Sequence, residues 1–201
     1  MQICIADANC VQNLWRLNKS DASWLKGLVT LTIPDIVEDE LIGRARDGGG
    51  RKDAEPARRS LPGKSALTLF QEFGVLDRKA WELSYAHLYE MQRLKRTYQA
   101  SGKWTGLGAG ELAVIVVAKE ERSFPVKVIT DDACARKAAI FELGQAAVLG
   151  VLDLVWMAAQ QGRIDRTWIE IGANHLAKNF SVADSWPKLI SEYADKAGLN
   201  W

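Results

Sequence analysis

The sequence lacks the features of a membrane or disulfide-stabilised protein. In a chain of 201 residues the longest apolar run is 112–118, far short of the ~18 residues that a membrane-spanning helix needs. Asp7 interrupts the apolar start of the chain, so we expect no signal peptide. The 3 cysteines are odd in number and have no CxxC spacing, which predicts reduced thiols. These absences predict a cytoplasmic protein with no membrane partner.

Histidine and net charge are also scarce. The chain has 2 histidines, His87 and His175, too few for a zinc cluster, and no nucleophilic triad is visible. A formal charge of +1 makes overall electrostatic attraction to a nucleic acid weak. The hydrophobic share of 48% with 25% charged residues is ordinary for a globular domain and argues against disorder.

Strand-like and helix-like segments alternate along the chain. Strands are predicted at 2–6, 28–33 and 126–130, with a short fourth strand from Val148. Helical spacing follows each of them, and the predicted helices cover 8–17, 35–45, 79–99, 133–143 and 150–160. Alternation with short links predicts an α/β fold, a three-layer α/β/α sandwich with a parallel sheet of four or five strands. We expect one domain over 1–201.

Two basic segments interrupt this alternation. Residues 44–64 are rich in glycine, proline and charge, which predicts a loop. The second segment, 79–103, is predicted as a long helix with a basic end. Their cations are candidate nucleic-acid contacts, with Tyr98 and Trp104 as stacking partners for unpaired bases, although charge runs are often only solvated faces. The candidate cations are Arg58, Arg59, Lys64, Arg93, Lys95, Arg96 and Lys103.

Acidic residues recur where the predicted strands end. Asp7 follows the first strand, and Asp131 and Asp132 follow the third. The carboxyl ends of parallel strands share one edge, and helices beginning there would bring Glu40 and Glu111 to the same place. Converging carboxylates repel each other unless a hard divalent cation such as Mg²⁺ or Mn²⁺ compensates them. Taken singly, Asp7 is also a good helix cap, and Glu111 suits a first helical turn without any chemistry.

Four segments carrying these acids resemble the PIN domain, a family of small metal-dependent ribonucleases that includes VapC-type toxins. The resemblance implies that Asp7, Glu40, Glu111 and Asp132 hold a metal ion, with Asp131 as the close rival of Asp132. It also implies hydrolysis of RNA phosphodiester bonds by water that the metal activates. The segments are ICIADANCVQNL (3–14), LTIPDIVEDEL (31–41), GAGELAVIVVAKE (108–120) and VKVITDDACARKAA (126–139).

The resemblance carries further expectations. Asn9 and Thr130 are candidates for the neutral side chain that assists such sites, since each is close in sequence to a site acid. RNA is the expected substrate, and an antitoxin protein and a second copy of the chain are expected as partners. The chain is longer than the compact toxins, because the basic loop and the basic helix are additional.

Two other functions remain open. A catalytically silent module of the same fold could bind nucleic acid or a protein without turnover. A nucleotide-binding Rossmann-like protein would need the glycine-rich loop 106–110 to follow a strand, and Glu111 stands where that motif needs its last glycine.

Overall fold

A parallel sheet forms the centre of the protein. The computed structural model describes residues 2–43, 56–121 and 125–179, with the side chains of 56–62 and 173–179 left out. The four strands β1, β2, β3 and β4 are all parallel and lie in the order β2-β1-β3-β4. This confirms the predicted α/β fold with a parallel sheet. The strands are β1 Gln2–Ala6, β2 Val29–Thr32, β3 Val126–Ile129 and β4 Val148–Leu149.

Helices cover the sheet, as expected for a three-layer α/β/α sandwich. Among the described residues they are α1 Ala8–Leu17, α2 Asp35–Ile42, α3 Pro56–Glu72, α4 Tyr85–Ser101, α5 Ala109–Glu120, α6 Ala133–Leu143, α7 Val151–Gln160 and α8 Arg166–Asn179. Helix α1 packs against α3, α7 and α8, whereas α5 packs against α4 and α6. Of the helices in the described ranges, none is both long enough and apolar enough to cross a membrane.

Burial differs between the two helices that flank β1. Helix α5 is apolar on all sides, and every residue from Leu112 to Val117 is buried, as expected for a helix enclosed by others. Helix α1 instead buries one face, which includes Cys10, Asn13 and Leu14. Asn13 is the exception on that face, because it is polar yet only 4% exposed.

The predicted loop at 44–64 is wrong in its second half. Helix α3 begins at Pro56, a residue whose fixed φ suits the first helical turn. Gly63 lies on this helix where it meets α2, and a Cβ there would be 2.1 Å from the carbonyl oxygen of Leu41. Glycine therefore serves close helix packing here and not a turn. Residues 44–55 lie outside the described part of the chain.

The basic helix is shorter than the predicted 79–103. Helix α4 begins at Tyr85, where the Ser84 hydroxyl caps the amide of His87 and the His87 ring accepts from the Ser84 amide. Before this cap the chain runs beside β2, because the Trp81 amide donates to the carbonyl of Ile33 at 2.8 Å. The apolar residues at 80–83 therefore extend the edge of the sheet instead of a helix.

The strand order creates a crevice between β1 and β3. From β1 the chain crosses to β2 on one side and later to β3 on the other, and ligands bind at such switch points in open α/β sheets. The two strand ends are joined by the Asp7 amide, which donates to the carbonyl of Ile129 at 3.3 Å. Asp7 and Thr130, the residues that follow the two strands, therefore lie side by side at this edge.

Candidate active site

Asp7 occupies the crevice and caps helix α1. Its Oδ1 accepts a hydrogen bond of 2.7 Å from the Cys10 amide, so the side chain does serve as an N-cap. The residue is only 3% exposed, and its Oδ2 is buried with no hydrogen-bond partner. Burial raises the pKa of Asp7 to about 6, and the nearby charge of Asp131 adds to the shift. Capping therefore accounts for one of the two carboxylate oxygens, and the other is left without a partner.

Two small polar groups surround this carboxylate. The Thr130 hydroxyl faces Asp7 closely enough to lower its pKa, although its geometry falls short of a hydrogen bond and Oγ1 is buried without a partner. The Cys10 thiol lowers the pKa of both Asp7 and Asp131 and so lies between the two carboxylates. Thr130 thus stands where the resemblance expects a supporting side chain. Asn9, the other candidate, is exposed on the first turn of α1.

Glu40 reaches the crevice from α2. As a residue it is exposed, but its carboxyl group rests on the first turn of α5, where a Cβ added to Gly110 would lie 2.7 Å from Oε2. Desolvation of the carboxyl group raises the pKa of Glu40 to about 7, the charges of Glu111 and Asp7 add to it, and the Gly110 amide opposes it. Glu40, Glu111 and Asp7 are therefore electrostatic neighbours, although Glu40 lies on α2, Glu111 on α5 and Asp7 at the N-cap of α1.

Glu111 lies in the first turn of α5 and folds back over the residue that caps this helix. A Cβ added to Gly108 would lie 2.6 Å from Glu111 Oε2. The favourable helix dipole explains an acid at this position. Its charge nevertheless raises the pKa of Glu40, so Glu111 belongs to the same group of acids.

Asp131 and Asp132 have different surroundings. Asp131 is fixed from two sides, because its Oδ1 accepts from the Val151 amide at 2.9 Å and its Oδ2 from Asn13 Nδ2 at 3.3 Å. Burial raises the pKa of Asp131, while these two donors and the charge of Arg136 lower it. Asp132 is exposed and caps α6 through a 2.7 Å bond from the Ala135 amide. The contacts thus bring Asp131, and not Asp132, next to Asp7.

One residue of this site escaped the sequence analysis. Asn13 is buried on α1 and links Asp131 to Arg16, because its Oδ1 accepts from Arg16 Nη1 at 3.2 Å. The signal was a polar residue on the same helical face as Cys10 and Leu14, where burial requires a hydrogen-bonding partner.

The predicted basic contacts differ in their availability. Arg93 is held by Glu90 through two hydrogen bonds of 2.6 Å, and Arg93 with Lys119 lowers the pKa of Glu90 to about 2. Lys119 also contacts Glu142 at 2.5 Å, so these side chains form a network between helices. Arg93 is thus exposed but paired, and the other exposed cations of the predicted set are Lys64, Lys95, Arg96 and Lys103. The side chains of Arg58 and Arg59 lie outside the described residues.

Of the two predicted stacking residues, Tyr98 is buried and Trp104 is half-buried. Tyr98 is 3% exposed, and its hydroxyl donates to Glu142 at 3.0 Å. Trp104 lies edge-on to Tyr98, with ring centroids 5.0 Å apart, and it also contacts Phe141. Base stacking on Tyr98 is therefore excluded in this structure, because its ring faces are covered by the core.

The glycine-rich loop does not match a dinucleotide-binding context. Residues 106–110 follow α4 through a turn at Gly102 and lead directly into α5. A Rossmann-type fingerprint requires the loop to follow a strand. Gly108 instead leaves room for the carboxylate of Glu111, and Gly110 leaves room for that of Glu40.

The chain matches no family model, no curated protein and no solved structure. Within residues 2–43, 56–121 and 125–179, no three histidine, cysteine or acidic side chains stand in position to form a ready metal cage. The donor chemistry nevertheless suits a hard cation, since the converging groups are carboxylates and one buried oxygen of Asp7 lacks a partner.

Proposed function

We propose that this protein is a Mg²⁺- or Mn²⁺-dependent ribonuclease that hydrolyses phosphodiester bonds at the crevice between β1 and β3. The observation that carries the proposal is a chain of neighbouring acids at a topological switch point, in which the charge of Asp131 raises the pKa of Asp7, and those of Glu111 and Asp7 raise the pKa of Glu40. Burial with like-charged neighbours raises the pKa of Asp7 to about 6 and of Glu40 to about 7. Such perturbed acids in a crevice are typical of functional sites. The PIN-like order of the acids favours RNA as the substrate.

Each acid has a distinct place in this proposal. Asp7 and Asp131 are held by backbone and side-chain donors and would anchor a divalent cation from the floor of the crevice. Glu40 and Glu111 would complete the site from α2 and α5. Mg²⁺ keeps several waters and binds through few carboxylates, so the ion does not require all four acids. When bound, such an ion neutralises charge on the scissile phosphate and lowers the pKa of a water molecule.

The chain itself contributes positioning and proton handling. Glu40, with a pKa of about 7, is about half protonated at neutral pH in the absence of a cation and is suited to exchange protons with water at the crevice. Lys95 and Arg96 are exposed on α4 and would contact the RNA backbone. Hydrolysis by water needs no covalent intermediate.

Asp131 is the better candidate for direct contact with the cation. Asp132 faces solvent, whereas Asp131 lies close enough to Asp7 for its charge to raise the pKa of Asp7. The sequence-based preference for Asp132 stays a prediction, and the contacts favour its neighbour.

A metal titration followed by thermal melting, combined with an RNA cleavage assay, tests this function. A ligand that binds only the folded state stabilises it by RT ln(1 + [L]/Kd), about 2.7 kcal/mol at a hundredfold excess over Kd. We expect Mn²⁺ to raise the melting temperature and to support cleavage of single-stranded RNA that EDTA abolishes. The matched control is Asp165→Asn, since Asp165 caps α8 with the same 2.7 Å bond but is exposed and lies outside the crevice.

The same experiment decides between the two functions that remain. If wild-type protein binds RNA but shows neither a Mn²⁺-dependent melting shift nor cleavage, the silent binding module is correct and the ribonuclease is not. A melting shift that Asp7→Asn retains would show that the metal binds elsewhere.

A further inference from the structure

Helix α4 carries two tyrosines whose rings are exposed to solvent. Tyr85 is 93% exposed and Tyr89 is 71% exposed, although tyrosine usually buries its ring. The two rings are four residues apart and therefore lie on one face of the helix, one turn after the other. The opposite face packs into the protein through Met91, Leu94 and Tyr98.

The exposed face continues with polar and basic residues. Gln92 and Arg96 follow Tyr85 at seven and eleven residues, spacings that return to the same side of an α-helix. Both are exposed, and so is Lys95 beside them. Tyr85 and Arg96 are separated by roughly 16 Å along the axis at 1.5 Å per residue. We call Tyr85, Tyr89, Gln92 and Arg96 the α4 stripe.

No carboxylate lies on the α4 stripe. Glu90, the acid within α4, points to the side where Arg93 and Lys119 bind it. Arg93 is therefore compensated by Glu90, whereas Arg96 is exposed on the same face as the tyrosines, two turns beyond Tyr89. This combination differs from an ordinary solvated helix face, which intersperses charges of both signs and few large rings.

A groove of about 350 Å³ lies beside α4, where Leu83 and Leu88 line it together with Ala109 of α5. Its carboxylates come from α2 and are Asp35, Asp39 and Glu40. Leu88 lies between the two tyrosines in sequence and is itself 41% exposed. Leu88 therefore brings this groove, with Glu40 in its lining, to the flank of the α4 stripe.

We propose that the α4 stripe binds a single-stranded segment of the RNA substrate, with unpaired bases stacked on Tyr85 and Tyr89 and a backbone phosphate at Arg96. Aromatic rings with an adjacent cation bind single-stranded nucleic acid without sequence preference, because every base offers a π-face. A duplex keeps these faces inside its own stack, so it cannot use the tyrosines. The inference rests on the proposed ribonuclease function for the identity of its ligand and adds the strandedness of that ligand.

Binding measured without catalysis tests the stripe directly. In EDTA, a short fluorescent single-stranded RNA and its blunt duplex are titrated with the full chain and followed by anisotropy. We expect the single strand to bind more tightly, and Tyr85→Ala and Tyr89→Ala each to weaken it on the order of tenfold, while the Phe variants retain affinity by stacking. Arg96→Gln should lower the slope of log K against log salt by about 0.7.

The matched control is Ile171→Ala, which removes an equally bare apolar side chain from α8, where it is 66% exposed. This variant should bind the single strand as the wild type does. Unchanged affinity in both Tyr→Ala variants, or a preference for the duplex, overturns the proposal. The α4 stripe could instead contact a second copy of this chain, and sedimentation of the same samples tests for such a dimer. A dimer that is lost in the Tyr→Ala variants would assign the stripe to that contact and overturn RNA binding there.

The two proposals fail separately. Wild-type protein that binds single-stranded RNA through the tyrosines but never cleaves it with Mn²⁺ overturns the ribonuclease and leaves the stripe. Wild-type protein that cleaves RNA with Mn²⁺ while both Tyr→Ala variants bind normally overturns the stripe and leaves the ribonuclease.

Discussion

Asp7 and Asp132 provide a comparison within one fold. Each follows a parallel strand, each is the N-cap of the next helix, and each accepts a 2.7 Å bond from the amide three residues on. Asp7 is buried, with its second oxygen lacking a partner, whereas Asp132 faces solvent. The same local motif thus occurs once in a crevice with other acids and once at the surface.

This difference shows that a helix cap and a site residue are not alternatives. The local sequence fixes the cap, because a short acidic side chain before a helix satisfies an otherwise unpaired amide. What surrounds the second oxygen depends on strand order, which places Asp7 between Thr130 and Asp131. Chemistry is therefore expected where the fold buries the cap among like charges.

The largest difference between the two caps is expected from Asp7→Asn. Asparagine can keep the bond to the Cys10 amide but removes a buried charge whose pKa is raised from 3.8 to about 6, an effect on the order of 3 kcal/mol at neutral pH. We expect Mn²⁺-dependent RNA cleavage to fall by more than a hundredfold while the free energy of unfolding rises at pH 7. Urea denaturation and single-turnover cleavage measure the two effects.

Asp132→Asn is the matched control for that variant. It exchanges an exposed cap for an equally good one, so the free energy of unfolding should stay within about 0.5 kcal/mol of the wild type. If Asp7→Asn is less stable than the wild type but its folded fraction keeps the wild-type cleavage rate, Asp7 is only a structural cap.

The neighbouring acids sharpen the comparison further. Asp131→Asn places an amide opposite the Asn13 amide and removes a charge next to Asp7, so we expect a tenfold to hundredfold loss of cleavage and weaker Mn²⁺ binding. Asp132→Asn should cost less than this. Cleavage rates over a Mn²⁺ titration compare the two variants, and greater damage from Asp132→Asn would support the assignment from the sequence.

The stability of the metal-free protein should depend on pH through the crevice. The pKa values of Asp7 and Glu40 are raised to about 6 and about 7, so between about pH 4 and pH 7 the folded state holds more protons than the unfolded state. The free energy of unfolding should therefore fall as pH rises through this window. Denaturation in EDTA at several pH values measures it.

Two comparisons check that pH dependence. Asp7→Asn should flatten it, whereas Asp165→Asn should not change it. With Mn²⁺ present, binding competes with protons for the same carboxylates, so the melting shift should grow from pH 5.5 to pH 7.5 in the wild type. A shift that is equal at both pH values would separate metal binding from these acids.

The smallest expected effect on stability comes from Gly110→Ala. Alanine favours the helix by up to about 1 kcal/mol, but its Cβ would meet Glu40 Oε2 at 2.7 Å and displace a flexible carboxylate. We expect a protein at least as stable as the wild type with a smaller Mn²⁺-induced melting shift. Gly106→Ala is the control, because no atom lies within 4 Å of a Cβ there.

Sequence patterns anticipated the fold better than the site. Alternation of apolar and helical segments located β1, α1 and α6 at their observed bounds, since local periodicity determines these elements. It missed α3, because Gly63 and Pro56 read as loop signals when their packing partner is unknown. The sequence alone does not distinguish a glycine that allows close helix packing from a glycine that forms a turn.

The electrostatic proximity of Glu40 to Glu111 and Asp7 agrees with the expectation that acids gather at this edge of the sheet. That these acids hold a metal ion stays a prediction. The choice between Asp131 and Asp132 depends on which way a turn aims each side chain, and spacing does not encode that. The exposed tyrosines of α4 were overlooked for the same reason, since the long helix was predicted without the face that it buries.

The close approach at Gly63 links substitutions on α3 to the function of the crevice. Gly63 packs against the backbone of Leu41, and Leu41 is the residue next to Glu40 in α2. Any side chain at position 63 must push α2 aside and carry the Glu40 carboxylate away from Gly110. In a mutational screen, position 63 should therefore score as intolerant as a site residue, although its close contact is with the backbone of Leu41 and not with the acids. Proximity to the chemistry is thus a poor guide to which positions of this chain can vary.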